Sequence, residues 1–292
     1  MDHEQTSSGI EAATHSRALL GSLGVAGAVA GAALLSSETA QAQSFTDTDI
    51  LNFALNFEYL GAEYYLHALT GQGLTAADIT GTGTQGTVSA GGLVPFQSSA
   101  VQQYGQRLAA DELAHVRFIR AVLGSAAISE PTINLTSSWT TFAISAGLIV
   151  PGQTFNPYAN DISFLLGAYV LEDVCVTALA GAVRLLSNPD HIEAAAGLLG
   201  VEGYQAGSIR TLLANIGAGQ AANAISAARA ALSGKPDDQG IIVPGNNFNF
   251  VPTDTAALVF RRTPAQVLNI AYGGGAAAGY GFFPNRVNGT IT

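Results

Sequence analysis

Tyr104 to Val122 reads YGQRLAADELAHVRFIRAV, and the pair Glu112 and His115 at its centre decides how the chain is understood. Tyr104, Leu108, Glu112, His115, Ile119 and Val122 recur at steps of four and three, the spacing of one helix face. A three-residue step leaves Glu112 and His115 about 60° apart around the helix, so one metal ion is within reach of both. Three further stretches repeat the pattern. Leu51, Leu55, Glu58, Ala62, Tyr65 and Leu69 form one stripe, and Leu165, Ala168, Glu172, Val176, Leu179, Val183 and Leu186 another. Ala195, Leu198, Glu202, Gln205, Ile209 and Leu212 form the last. Each stripe carries one glutamate midway along an apolar face, in a chain with only 11% charged residues.

Burying one carboxylate is costly, and four converging without a cation would be driven to protonation or repulsion. A metal pair resolves the conflict. The order Glu58, Glu112-x-x-His115, Glu172, Glu202-x-x-Gln205 is that of carboxylate-bridged di-metal four-helix bundles, except that a glutamine stands where a second histidine is expected. In the expected arrangement Glu112 and Glu202 bridge, and Glu58, Glu172 and His115 are terminal ligands. So oxygen-rich a set suits Fe or Mn better than Zn. A glutamine amide is a weaker ligand than imidazole, so Gln205 makes the pair asymmetric, down to one tightly bound metal. Such a centre can oxidise ferrous iron or activate oxygen or peroxide. The competing reading pairs Glu58 with Arg210 and lets buried basic residues neutralise the glutamates without metal. Glu63 and Asp173 lie off the stripes and read as solvated or as standing behind the ligands. His67 and His191 read as surface or capping residues, and Cys175 as a small core residue.

The whole chain has 292 residues, 48% of them hydrophobic, with 11 basic against 21 acidic residues and a net charge of −10. This composition is ample for one sizeable core, and it offers no basic cluster to track a phosphate backbone, so nucleic acid is excluded as a partner. A solitary cysteine excludes an intrachain disulfide. Ala18 to Leu35 is an uncharged Ala/Gly-rich run followed by Ala40-Gln41-Ala42, a small-x-small cleavage site. Residues 1–42 are therefore expected to be an export signal, with an uncleaved membrane anchor as the alternative, and the mature protein is expected to be periplasmic or extracellular.

The rest reads as an all-α four-helix bundle over 43–217, followed by short helices and a Gly/Asn/Phe-rich extension over 218–292. Asp47 or Asp49 is expected to cap a first helix ending near Leu69, and a second helix spans about Gln97 to Leu123. The long connection from Gly124 to Asn160, with a short helix around Thr140 to Ala146, is the crossover that a bundle with parallel second and third helices needs. Asn188-Pro189-Asp190 opens the fourth helix, and a fifth is expected from Ala218 to Leu232. Thr263-Pro264-Ala265-Gln266 has the form of a capping box, opening a helix to Tyr272 that Gly273 stops. Tyr280, Phe282, Phe283 and Pro284 are too apolar for water and are expected to cover the bundle, a second copy of the chain or a protein partner.

The segments DTDILNFALNFEYLGAEYYLHAL (Asp47 to Leu69), ADELAHVRF (Ala110 to Phe118), FLLGAYVLEDVCVTALAGA (Phe164 to Ala182), GLLGVEGYQAGSIRTLL (Gly197 to Leu213) and RTPAQVLNIAYGGG (Arg262 to Gly275) resemble ferritin-like domain proteins of the desiccation-related family. The resemblance implies a ferritin-like four-helix bundle, often exported and associated with stress. It places Glu58 on the first helix's ligand position, Glu112 and His115 on the second, Glu172 on the third and Glu202 on the fourth. Tyr65 matches the tyrosine that ferritins place near a di-iron centre, which makes it a candidate one-electron donor. Two functions follow as alternatives: a di-metal protein consuming Fe(II), oxygen or peroxide, or a non-catalytic, stress-protective scaffold with an impaired metal site, working through its tail.

Overall fold

A computed structural model describes residues 45–89, 91–245, 247–273 and 281–292; the export segment and Tyr280 lie outside them. Helix α1 (Asp47–Thr70) is capped by Thr46 rather than by Asp47 or Asp49. The Thr46 hydroxyl accepts from Asp49 N and the Asp49 carboxylate accepts from Thr46 N, a reciprocal box that leaves Asp47 free for another task. Asp47 accepts from Ser187 N and Asn188 N at 2.9 Å and lies 2.8 Å from His191 Nδ1, pinning the turn between the last two bundle helices. His191 thus acts at a helix start. Gly71, at φ 72°, ends α1 in the left-handed conformation that glycine takes without strain.

After α2 (Ala76–Ile79) and β1 (Val88–Ser89), α3 (Ser99–Leu123) starts at its Ser98 cap. The crossover holds a 3-10 turn (Gly124–Ala126), β2 (Ile133–Asn134) and α4 (Ser137–Ser145), which begins three residues earlier than expected. It lies against α1: Asn52 donates to Ala126 O and accepts from Ile128 N, and Tyr59 Oη donates to Ile128 O. β2 pairs in parallel with β1, Val88 opposite Ile133, which ties the Gly/Thr-rich stretch to the crossover. Then follow α5 (Asp161–Val183), capped by Asn160, α6 (Pro189–Asn215), capped by Asn188, and α7 (Gly219–Ser233). Asp161 also accepts from Gln97 N and Ser98 N, so one carboxylate serves the starts of α3 and α5.

α1 packs along α3 and α5 along α6, and the two pairs meet through α1 and α5. α5 is long and apolar enough to cross a membrane, but most of it is buried inside the protein. The α3 stripe needs correction at both ends, since Tyr104 is 41% and Val122 40% exposed. Both lie about 80° from Glu112 around the helix, and Gly105 and Leu123, about 20° away, take the inward places.

The extension packs as a cover. β3 (Ile242–Val243) and β4 (Asn247–Phe248) form a short antiparallel pair, and α8 (Pro264–Ala271) carries the expected capping box at Thr263 and Gln266. Phe283 meets Phe57 of α1 edge-on at 5.6 Å, and Phe282 meets Trp139 of α4 at 4.7 Å.

Candidate metal centre

Each of four helices delivers a glutamate to the bundle interior: Glu58 from α1, Glu112 from α3, Glu172 from α5 and Glu202 from α6, none more than 5% exposed. One ligand atom from each of Glu58, Glu112, His115 and Glu202 falls within 4.8 Å of the others. His115 Nδ1 is 3.2 Å from Glu58 Oε2 and 3.2 Å from Glu202 Oε1, yet it has no partner in hydrogen-bond geometry. Ligands at about 2.0–2.2 Å from a shared ion stand about 3 Å apart, so this is the spacing of donors around a cation. Glu172 falls outside the tight group. Its Oε1 accepts a short hydrogen bond from Tyr65 Oη, while its Oε2 has no partner. Gln205 is at the margin: Nε2 donates to Asp111 Oδ2 at 3.1 Å and Oε1 is left unpartnered.

Among the described residues, the cationic side chain found beside these carboxylates is His115. Arg210, the alternative partner for Glu58, instead forks onto Asp173, with Nε 3.0 Å from Oδ1 and Nη2 2.6 Å from Oδ2. Arg229 shares Asp173 and binds Asp238, and Arg262 binds Asp237 and Asp238, so three buried guanidiniums are matched by three buried aspartates. Asp173 is therefore neither solvated nor behind the ligands, because α7 and the extension cover the face of α5 that the stripe leaves out. Glu63 is buried too, accepting from Leu74 N at 2.7 Å and lying 3.1 Å from His67 Nε2. His67 is thus half-buried beside Glu63 rather than a surface residue.

The electrostatics follow from burial. Loss of water, then the charges of Glu202, Glu58 and Glu172, pushes the Glu112 carboxyl far above its usual range. Burial and then Glu202 do the same to Glu172, and burial raises Glu58 against the pull of His115. Burial draws the His115 imidazole down, but the adjoining Glu202 and Glu58 carboxylates outweigh it and carry it up to about 10. Left to itself the cluster holds protons. Unpartnered oxygens on Glu58, Glu112, Glu172 and Glu202, buried within the bundle, are the donor set that a divalent cation fits.

Two residues of this centre escaped the sequence reading. Gly61 faces α3 so closely that a Cβ there would overlap Glu112 Oε2, and the available signal was a glycine inside a long helix, one step after Glu58 on the same face. Asp111, bound to Gln205 and to Arg107, had no signal beyond adjacency to Glu112. Cys175 lines a small apolar cavity with Gly61, Phe57 and Phe282.

Residues 46–215 match the family described as Ferritin-like domain. The chain is 31% identical over 245 residues to the Desiccation-related protein PCC13-62 of Craterostigma plantagineum, an alignment covering 76% of each chain. It is 27% identical over 272 residues to the Ferritin-like catalase Nec2 of Nesocodon mauritianus, covering 84% of each. No solved structure matches it significantly. With capped helices, four interior glutamates and these matches in agreement, the chain belongs to the ferritin-like domain family and is a relative of its desiccation-related proteins.

Proposed function

We propose that the protein is an exported di-metal protein, holding Fe or Mn, that consumes hydrogen peroxide under stress. The observation that carries this reading is the set of unpartnered buried carboxylate oxygens gathered from α1, α3, α5 and α6 around His115. Glu58, Glu112, His115 and Glu202 would hold the metal, with Glu172 completing the second position and Gln205 lending at most a weak amide oxygen. The bound ions supply one-electron redox chemistry and a Lewis-acid surface for oxygen ligands. Around them the chain excludes water, keeps the carboxylates apart from its buried arginines, and holds Tyr65 Oη against Glu172. The relative named a catalase favours peroxide over Fe(II) as substrate. Ala18 to Leu35 and the Ala40-Gln41-Ala42 site support export.

A second reading, a non-catalytic scaffold acting through its tail or as a subunit of a homo-oligomer, is favoured by one contact. Gln205 spends its amide nitrogen on Asp111 in place of the second histidine. Metal analysis of anaerobically Fe(II)- or Mn(II)-loaded protein, beside Glu112→Ala, separates the two. About two metals per chain, lost in the variant and accompanied by peroxide consumption, are expected; a well-folded wild type that takes up none sinks the enzymatic reading. Gln205→His should tighten metal binding about tenfold or more if the site is used, since imidazole replaces a weak amide donor.

A further inference from the structure

Trp139, the chain's single tryptophan, stands on α4 at the end of a line of touching rings that begins at the carboxylates. Tyr65, bonded to Glu172, has the Tyr64 ring 5.0 Å away, and Tyr64 has Trp139 at 5.1 Å and Tyr158 at 5.4 Å. All four rings are buried, and each step is a single van der Waals contact. Trp139 Nε1 and Tyr158 Oη are both buried, and the indole N–H is loosely directed at the phenol oxygen, which ties Tyr158 to Trp139 as well as to Tyr64. Tyr158 lies directly under Gly91, where a Cβ would overlap its ring, and the next residue, Gly92, is exposed, so a single backbone segment separates the ring network from solvent.

We propose that Tyr65, Tyr64 and Trp139 form an electron relay to the candidate metal centre, with Trp139 as its oxidisable terminus. The relay rests on the peroxide-consuming reading and adds to it a dependence on an external reductant. In each passage Trp139 loses one electron and keeps its N–H, which faces the Tyr158 phenol rather than a base; Tyr64 and Tyr65 act as bridging rings and keep their phenolic protons; the centre gains the electron. Two passages and two protons from solvent reduce one hydrogen peroxide to two waters. A small soluble one-electron reductant then restores each oxidised indole.

The test treats Fe(II)-loaded protein carrying ring-deuterated tryptophan with hydrogen peroxide, followed by freeze-quench electron paramagnetic resonance, mass spectrometry of the Trp139 peptide and peroxide-driven oxidation of ascorbate. A radical signal altered by the deuteration and oxygenation of Trp139 when ascorbate is withheld are expected. Trp139→Phe should abolish the signal and slow ascorbate oxidation severalfold at unchanged metal content, and Trp139→Tyr should recover much of the rate. Metal uptake and peroxide consumption with no tryptophan signal, and with ascorbate oxidised equally fast by Trp139→Phe, would overturn the relay and leave the metal centre standing. A wild type that binds no metal overturns both. If Trp139→Phe fails to fold, the wild-type spectrum and peptide analysis still decide the matter.

Discussion

Gly61 is the residue whose small change has the sharpest expected effect. A methyl group there occupies the position of Glu112 Oε2, so Gly61→Ala must turn that carboxylate away from Glu58, His115 and Glu202. The helix itself gains, because alanine is better than glycine in a helix interior by about 1 kcal/mol. The two effects have opposite signs. Isothermal titration with Mn(II) should show affinity falling tenfold or more, while thermal melting of the metal-free variant stays level or rises. A variant that binds Mn(II) as the wild type does would mean that Glu112 is not a ligand. That Glu112 and His115 share a target was legible from their three-residue spacing. That Gly61 makes room for it was not, since a close approach between two helices leaves no periodic trace in either one.

At the scale of elements, two buried clusters fix the pieces around the bundle, and neither was visible in the stripes. Periodicity identifies one face of a helix and says nothing of what covers the other. Asp173 therefore read as peripheral, although it faces Arg210 of α6 and Arg229 of α7 and fastens both to α5. Asp173→Ala would leave two buried guanidiniums short of their shared carboxylate, and a loss of about 3–5 kcal/mol is expected from urea unfolding. A loss below about 1 kcal/mol would show that Asp238 suffices for Arg229 and that the carbonyls of Gln239, Gly240 and Asn249 suffice for Arg210. The second cluster joins Glu63 of α1 to Glu130 of the crossover. Burial, then the facing Glu63 carboxylate, pushes Glu130 up to about 9. Because its pKa is raised on folding, the stability it contributes is complete below about pH 4.5 and declines as pH rises towards about 9. Glu130→Gln, which imitates the neutral carboxyl, should flatten the fall in melting temperature of the metal-free protein over that window. An unchanged slope would place the titration elsewhere.

For the whole molecule, the fold and the metal centre oppose each other in a way that pH can expose. The long helices, the crossover and the closing extension were legible because caps, turns and the 3.6-residue period act locally; the cover made by Phe282 and Phe283 was expected only as burial, without its partners. What the closed bundle encloses is a set of glutamates whose pKa values are raised by folding, those of Glu58, Glu112 and Glu172. Each adds stability at low pH that is lost as pH rises above the ordinary carboxylate range, so the metal-free protein should melt at lower temperature near pH 8 than near pH 5. A divalent ion binds the deprotonated forms and releases their protons, so its affinity has the opposite dependence. At one hundred times the dissociation constant the ion stabilises the fold by about 2.7 kcal/mol. Melting curves with Mn(II) and with a chelator should therefore lie close together near pH 5 and separate steadily towards pH 8, and Glu112→Ala should remove most of the separation. Parallel curves across the range would mean that the ion binds groups that do not titrate there, and the interior glutamates would lose their role.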